Sequence, residues 1–515
     1  MGIQLKEQPM SQLLTERYAA QIRGTISCLD RVVIMGTLPT YCYADGMTRC
    51  FYTNKIRIFD YARWAEPLRE QIRAHAEGLA AEAGIEIEFV RRADERKEAI
   101  VAEVLAKRGN KPGLVHVLSA METCQTYKPW HDKQTHKTYL KPSIGKCLHY
   151  YFYFIDPDLG LCFLRVPTWA PFQLHLYFNG HNRLAAALAR RNIDYSMLDN
   201  AFVSIDDMQH AEQLAVPDIP VLHKTFNRIA AAYCPFLTSL KQDYHWSLKQ
   251  TEYATDIVFR QQHDLDPIYD EIVRTCVHAV KAPQVATFLG RKLTNGYTDE
   301  IGNNFHTRIE GTCIKHHMGP IVIKMYNKHG IVLRIEIVVN DVSFFQHYRM
   351  VEHRDGTSEM KMAKMKKTIH SLPDLIPLMA AATRRYIEFI SDINDPSSAI
   401  KGLDKVSRPA RDDTRSYRGF NLFHGDDIDI FRVLLRGEFI ANGFHNAQVR
   451  RHLPGYSARR VSALLKRLRM HSIIKKVGKT YKYYFTGLGR SIVLAGIMMK
   501  EMLLIPKLRG QLAQA

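Results

Sequence analysis

NAQVRRHLPGYSARRVSALLKRLRMHSIIKKVGKTYKYYFTGLGR, residues 446–490, is the stretch that decides how the C-terminal part of this chain is read. Asn446 to His452 predicts a short helix, Leu453-Pro454-Gly455-Tyr456 a turn, and Ser457 the N-cap of a second helix. In that second helix Val461, Leu464, Leu465 and Leu468 recur at i, i+3, i+4 and i+7, which makes one apolar face. Arg459, Arg460, Ser462, Lys466 and Arg467 are left for other faces, the layout expected of a recognition helix, and together with the cap Ser457 they are the candidate DNA contacts. Ile473 to Val477 and Tyr481 to Phe485 then read as two short strands joined across Gly478-Lys479, with Thr486 capping a last helix. That order predicts a winged helix-turn-helix whose wing carries Lys479, Tyr481 and Lys482.

Charge is distributed to match. From Lys405 to Ala515 there are 22 Lys plus Arg against 7 Asp plus Glu, a net of +15, whereas the whole chain carries +19, so residues before Lys405 contribute +4. Between Arg450 and Arg490 there are 12 basic residues and no acidic one. A local excess of this kind is the electrostatic footprint of a phosphate-binding surface, which with the winged-helix layout points to duplex DNA as partner; a solvated basic face on an ordinary helical domain is the alternative.

The residues from Ser457 to Leu468, Ile473 to Val477 and Tyr483 to Gly489 resemble the winged-helix domains of MarR-like bacterial regulators. The resemblance covers about 75 residues and implies duplex DNA binding for that part alone. One departure is visible: the wing is short and lacks the family's Asp-x-Arg element, which leaves Lys479 and Lys482 to reach phosphates.

The totals are those of a globular protein. With 515 residues, 46% hydrophobic and 24% charged, the chain is long enough for two to four domains. Nine scattered cysteines without a C-x-x-C pair predict reduced, mostly buried thiols. Met1 to Gly24 carries charges throughout, and the apolar run Ser491 to Met499 is too short to span a bilayer, so the expectation is a cytoplasmic protein with no membrane partner.

Further toward the N-terminus, Thr25 to Leu29 and Val32 to Met35 read as a pair of short strands with Asp30-Arg31 between or within them. A carboxylate set in an apolar strand is a candidate metal ligand or catalytic group, and a turn at Leu29-Asp30-Arg31 is the alternative. Helices are expected at 59–83 and 93–108, flanking strands at 85–90 and 113–118. Residues 123–146 read as an aromatic-basic loop in which Tyr127, Lys128, Trp130, Lys133, Lys137 and Tyr139 contact single-stranded DNA or RNA, or else as a solvated loop whose aromatics tuck onto the core. Cys124, His131, His136 and Cys147 match no standard zinc spacing, so zinc is not expected. A strand-rich segment covers 147–178, a helix 181–191, and 221–281 reads as mostly helical.

Residues 307–341 read as three antiparallel strands. If the turn before Ile331 is a three-residue loop with Gly330 as the left-handed residue, Lys324, Tyr326, Arg334 and Glu336 share one face, whereas a two-residue turn separates them. Together with Glu310 and Asp30 these are the candidate catalytic residues; an exposed face of cross-strand ion pairs is the alternative. Tyr326-Asn327-Lys328 and Arg334-Ile335-Glu336 resemble a segment of plasmid rolling-circle replication initiators. That resemblance implies a tyrosine attacking a phosphodiester beside a metal ion, with Tyr326 in that role.

Residues 341–349 and the lysines at 361–367 are expected to be helical, as is 374–393, and 394–420 reads as a linker. The expected architecture is multidomain α+β with mixed or antiparallel sheets: an α/β or α+β domain over 1–215, a helical segment plus sheet over 216–393, the linker, and the winged helix-turn-helix over 421–515. The functional expectation is a protein that docks on duplex DNA and whose body processes a strand with Mg or Mn. A MarR-like regulator with a sensing or homodimerising body and an RNA-binding protein are the alternatives.

Overall fold

The computed structural model describes residues 14–92, 95–234, 240, 242–280, 282–291, 305–310, 313–353, 355–393, 403–412, 415–421, 424–435, 439, 443–478, 480–486, 489, 492–493 and 496–497. Helices and strands are both abundant, and the fold is α+β with a large mixed sheet. In chain order the strands are β1 (Ile22–Thr37), β2 (Glu88–Phe89), β3 (Gly113–Asp132), β4 (Lys137–Asp156), β5 (Gly160–Pro167), β6 (Leu174–Asn179), β7 (Tyr195–Leu198), β8 (Ala201–Ile205), β9 (His245–Phe259), β10 (Phe305–Glu310), β11 (Cys313–Met318), β12 (Ile321–Lys328), β13 (Val332–Val339), β14 (Gln346–Glu352), β15 (Ser358–Lys364), β16 (Ala410–Arg411), β17 (Ser416–Tyr417), β18 (Ile474–Lys476) and β19 (Tyr483–Phe485). The chain divides into two compact units that are not consecutive blocks of sequence: 26–254 with 338–377, and 1–25 with 255–337 and 378–515. Consecutive domains were the expectation; the chain instead crosses between the units within β1, β9 and β13 and again within the helix Leu372–Ile393.

In the first unit the strands run β1-β6-β5-β4-β3-β2, antiparallel except for the parallel β2–β3 pair. The helix Lys97–Arg108 buries Val101 against Val115, Leu118, Tyr151 and Tyr153. Leu184 and Leu188 of the helix Gly180–Ala189 pack on Ile26, Cys28 and Phe202. Tyr61 and Trp64 of the helix Tyr61–Glu82 meet Tyr127, Trp169 and Phe172 edge-on or tilted. Aromatic rings of this size contribute much of a core's apolar area, and their edge contacts fix orientation.

Three expectations fail in this unit. The turn offered at Leu29-Asp30-Arg31 is absent: Thr25 to Met35 is one unbroken strand with Asp30 within it, accepting from Asn179. Residues 123–146 are not a loop: β3 and β4 are 20-residue strands paired residue by residue from Glu122↔Cys147 to Asp132↔Lys137, closed by a turn at 133–136. The segment around 341–367 is a 3-10 turn at Val342–Phe344 followed by the β14–β15 hairpin, not helices.

In the second unit β10, β11, β12 and β13 lie side by side, four strands where three were expected. His329 and Gly330 both take left-handed backbone angles at the β12–β13 turn. β9, a 15-residue strand, occupies part of the region expected to be helical. Its residues are buried almost throughout, so it lacks the alternation that betrays a half-exposed strand. The expected helix at 374–393 is present as Leu372–Ile393. Toward the C-terminus come the helices Gly425–Leu434, Asn446–Arg451 and Ala458–Met470, then the β18–β19 hairpin. Ser457 caps its helix by accepting from the Arg460 amide at 3.2 Å, and Val461, Leu464, Leu465 and Leu468 are buried as the periodicity requires.

Candidate functional site

On β12 and β13 the cross-strand geometry gathers Lys324, Tyr326, Arg334 and Glu336. Glu336 accepts from the Tyr326 hydroxyl at 2.5 Å and from Lys324 Nζ at 3.1 Å, and Arg334 Nη1 lies 3.7 Å from its Oε1. Arg334 also donates from Nε and Nη2 to both oxygens of Asp256, each at 2.6 Å, with both side chains fully buried. Two carboxylates thus meet two cations, which is how a folded interior tolerates four ionic groups. Lys324 and Tyr326 are half-buried, so the network opens to solvent at the tyrosine and the lysine. A phenol hydrogen-bonded to a carboxylate that can take its proton is the geometry of an activated nucleophile. Glu310 is not part of this group. It sits in an exposed ion pair with Lys315, whose hydrogen bond holds its carboxyl below the usual range.

Asp30 lies in the other unit. Its Oδ1 accepts from Asn179 Nδ2 at 2.7 Å, Asn200 Nδ2 at 2.9 Å and His181 Nδ1 at 3.0 Å. Asn179 ends β6 and also caps the following helix, its Oδ1 accepting from the amides of His181 and Asn182. Gly180 makes that possible: a Cβ there would stand 2.0 Å from the Leu29 carbonyl oxygen, so only glycine lets the helix start against β1. Glu252 on β9 places a carboxylate oxygen within 4.8 Å of Asp30, and both residues are buried. Two buried carboxylates so close repel unless a proton or a cation is shared between them.

A further polar row of the same unit was not singled out from the sequence. Glu122 on β3 accepts from Tyr151 at 2.7 Å, Lys97 at 3.0 Å and Arg165 at 2.9 Å. Burial alone would raise its pKa; the bonds from Tyr151 and Lys97 and the Arg165 charge outweigh it and bring it down to about 2. Arg165 Nη1 and Lys249 Nζ flank the two nitrogens of His175 at 3.1 and 3.3 Å. Burial, aided by Lys249 and Arg165, lowers His175 to about 3, and burial beside Arg165 lowers His149 to about 4. The signal was present in Glu122, Arg165 and His175, but the row exists only once β3 to β6 are paired.

The C-terminal elements separate the basic residues of the helix Ala458–Met470. Arg459, Arg460, Ser462 and Lys466 are exposed. Arg460 stacks on Tyr456 at 3.9 Å, Lys466 lies 3.4 Å from Asp412, and Ser462 accepts from Asn446 at 2.7 Å. Arg467 departs from expectation. Its guanidinium binds Asp427 through two contacts of 2.8 and 3.0 Å, donates to the carbonyls of Arg418 and Gly419, and lies 3.7 Å over the Phe420 ring. That side chain is a brace rather than a surface cation, since helix periodicity places it beside the buried Leu464, three residues earlier. Tyr481 is exposed, Lys482 half-buried, and Lys479 lies outside the described residues. Beside this helix is an open cleft of about 400 Å³ lined by Arg415, Arg418, Asp426, Arg460 and Lys466 among others.

The residues expected to contact a single strand also divide. Tyr127 is core: its hydroxyl donates to the Tyr41 carbonyl at 2.5 Å. Lys128, Trp130, Lys133 and Lys137 are exposed and Tyr139 half-buried, with Lys141 Nζ 3.7 Å from the Trp130 ring centre. His131 pairs with Thr138 near the hairpin end, whereas Cys124 faces Gly145 seven residues away, roughly 23 Å along an extended strand, so Cys124, His131, His136 and Cys147 do not converge.

Among the described residues no helix is long and apolar enough to cross a membrane. No protein family, curated protein or solved structure matches the chain.

Proposed function

We propose that this protein docks on duplex DNA through a winged helix-turn-helix formed by residues 443–486, and that its body processes a nucleic-acid strand. The observation that carries the reading is the helix Ala458–Met470, capped by Ser457. Its apolar face is buried while Arg459, Arg460 and Lys466 remain at the surface, next to a hairpin bearing Tyr481 and Lys482. A helix of this kind sits in the major groove with its N-terminal side chains on base edges, and the hairpin meets the backbone beside it.

Strand processing is supported by two groupings that make different chemical demands. In the first, Glu336 takes the proton of Tyr326 as the phenol oxygen bonds to phosphorus, the P–O bond to the sugar oxygen breaks, that oxygen leaves as a hydroxyl after taking a proton from water, and a phosphotyrosine results. In the second, Asp30 and Glu252 would hold Mg or Mn, and the ion would offset their mutual repulsion and supply a Lewis acid for a phosphate.

Incubating the intact protein with labelled single-stranded, duplex and hairpin DNA and RNA, with and without Mg or Mn, tests this half of the proposal on a denaturing gel. A covalent adduct lost in Tyr326→Phe supports the first route. Metal-dependent cleavage lost in Asp30→Asn supports the second. Retention without cleavage on every substrate refutes processing. The open cleft beside Arg460 and Lys466 favours a second reading, a regulator whose DNA helix responds to a bound anion, and that outcome would favour it.

A further inference from the structure

Among the described residues the hairpin β14–β15 bonds to no other strand: seven consecutive pairs, from Gln346↔Lys364 to Glu352↔Ser358, join it to itself. Its two faces differ. One carries Gln346, Tyr348, Met350 and Glu352 opposite Lys364, Met362, Met360 and Ser358. The four central side chains form a two-by-two block of directly opposed residues, and each is about half or more exposed: Tyr348 62%, Met350 52%, Met360 48% and Met362 57%. Large apolar side chains scattered singly on a surface need no explanation, but four in one contiguous block do.

The surroundings of the block are basic. Residues 346–367 contain Arg349, Arg354, Lys361, Lys364, Lys366 and Lys367 against Glu352, Asp355 and Glu359. Lys364 shares the exposed face, and Lys364 and Lys366 enter no ion pair among the described residues. On the opposite face Arg349 donates to the carbonyls of Lys364 and Met350 at 3.0 and 3.1 Å, which ties the strands together from behind. Lys361, His353 and Glu359 form a small network there. The hairpin is thus a braced ribbon roughly 23 Å long, seven residues at about 3.3 Å each, with a soft apolar platform on one side and cations at its base.

We infer that this ribbon is a stacking platform for unpaired bases of a single nucleic-acid strand. The inference deepens the proposed function and rests on it, naming where the body would hold its strand. Charge selects the class of occupant: lysines beside an apolar block complement a polymer that alternates phosphates with flat apolar rings. The shape of the block selects the form. Bases in a duplex cover one another's faces and offer only edges to a groove, whereas an unpaired base offers a face to a tyrosine ring or to polarisable methionine sulfur. Tyr348 opposite Met362 and Met350 opposite Met360 provide two successive stacking positions, with Lys364 and Lys366 placed for phosphates.

The test uses the full chain and labelled oligothymidylate, oligouridylate and a duplex of equal length, followed by fluorescence anisotropy. Replacing Tyr348, Met350, Met360 and Met362 by Ser or Thr should weaken single-strand binding by about 10- to 100-fold, the effect of losing one or two stacked bases, and leave duplex affinity within about 2-fold. The DNA and RNA arms show which strand is preferred. Photocrosslinking of 5-iodouracil oligonucleotides to the unsubstituted protein reads the same contact without any substitution, and the adduct should map to 346–364.

Unchanged single-strand affinity together with a cross-link elsewhere overturns the platform and leaves the proposed function standing. No binding to any nucleic acid by the intact protein overturns both. If the substitutions instead abolish sedimentation with phosphatidylserine-containing vesicles while oligonucleotide binding persists, the ribbon is a membrane contact and the inference fails.

Discussion

Arg467 and Arg459 stand on the same helix, and the structure assigns them opposite consequences when replaced by alanine. Arg467 is 13% exposed and its partner Asp427 1%, and the pair shares two short contacts. Removing the guanidinium strands a buried carboxylate whose remaining partners are the Asn421 amide at 3.0 Å and Arg418 Nη2 at 3.6 Å. Breaking a buried ion pair from one side costs about 3–5 kcal/mol, and because Arg418 remains nearby the lower end applies, about 3 kcal/mol.

The sign with pH follows from Asp427. Burial works to raise its pKa, but the hydrogen bonds from Arg467 outweigh it and the net shift is downward from 3.8. A carboxyl with a depressed folded pKa stabilises fully above its unfolded value and loses that contribution as pH falls below it. Arg467→Ala should therefore lower the urea midpoint at pH 7, and lower it less at pH 3. Arg459→Ala, on an exposed side chain, should change stability by less than about 0.5 kcal/mol. Equal stability of the two variants at pH 7 would refute the assignment of Arg467 as a brace.

Three further outcomes follow from the same geometry. Asp256→Ala leaves Arg334 fully buried and should cost about 3–5 kcal/mol, while the double variant Asp256→Leu/Arg334→Met should recover most of it, as read by chemical denaturation; no recovery would mean that packing, not charge, was lost. His149 and His175, lowered to about 4 and about 3 from 6.5, refuse protons that the unfolded chain accepts. Stability should be full above pH 6.5 and fall toward pH 4 by about 1.4 kcal/mol per pH unit for each, a slope that His149→Gln/His175→Gln flattens. Glu336→Gln should reduce any phosphotyrosine adduct by at least about 100-fold through loss of the base while leaving duplex affinity unchanged; an undiminished adduct would remove Glu336 from that role.

Local regularities were legible in the sequence, and non-local ones were not. The buried face of the helix Ala458–Met470, its Ser457 cap and the hairpin after it follow from spacing alone. The gathering of Lys324, Tyr326 and Arg334 around Glu336 was legible only conditionally: spacing left the turn length open, and the folded turn with His329 and Gly330 both left-handed decides it. Asp256 could not be found this way: it lies on β9, 78 residues from the arginine it binds, in a strand buried along nearly all its length and so without alternation. Residues 123–146 hid their strands behind lysines and aromatics whose partners are supplied only by pairing with the opposite strand. In 358–364 the lysines suggested a helix, whereas the alternation of Met360 and Met362 was the true signal of a half-exposed strand. Arg467 shows the limit on the functional side: its charge is readable, but whether a charge faces water or an aspartate 40 residues away is a property of the folded chain.

Docking on duplex DNA is most directly tested by titrating a labelled duplex with the intact protein over a series of salt concentrations, alongside the triple variant Arg459→Ala/Arg460→Ala/Lys466→Ala. Each phosphate contact contributes about 0.9 to the slope of log affinity against log salt. The account predicts tight binding by the unsubstituted protein that weakens steeply with salt, and a slope shallower by up to about 2.7 in the variant at unchanged folding stability. Equal affinity and equal slope for the two proteins, or no duplex binding at low salt, would contradict it.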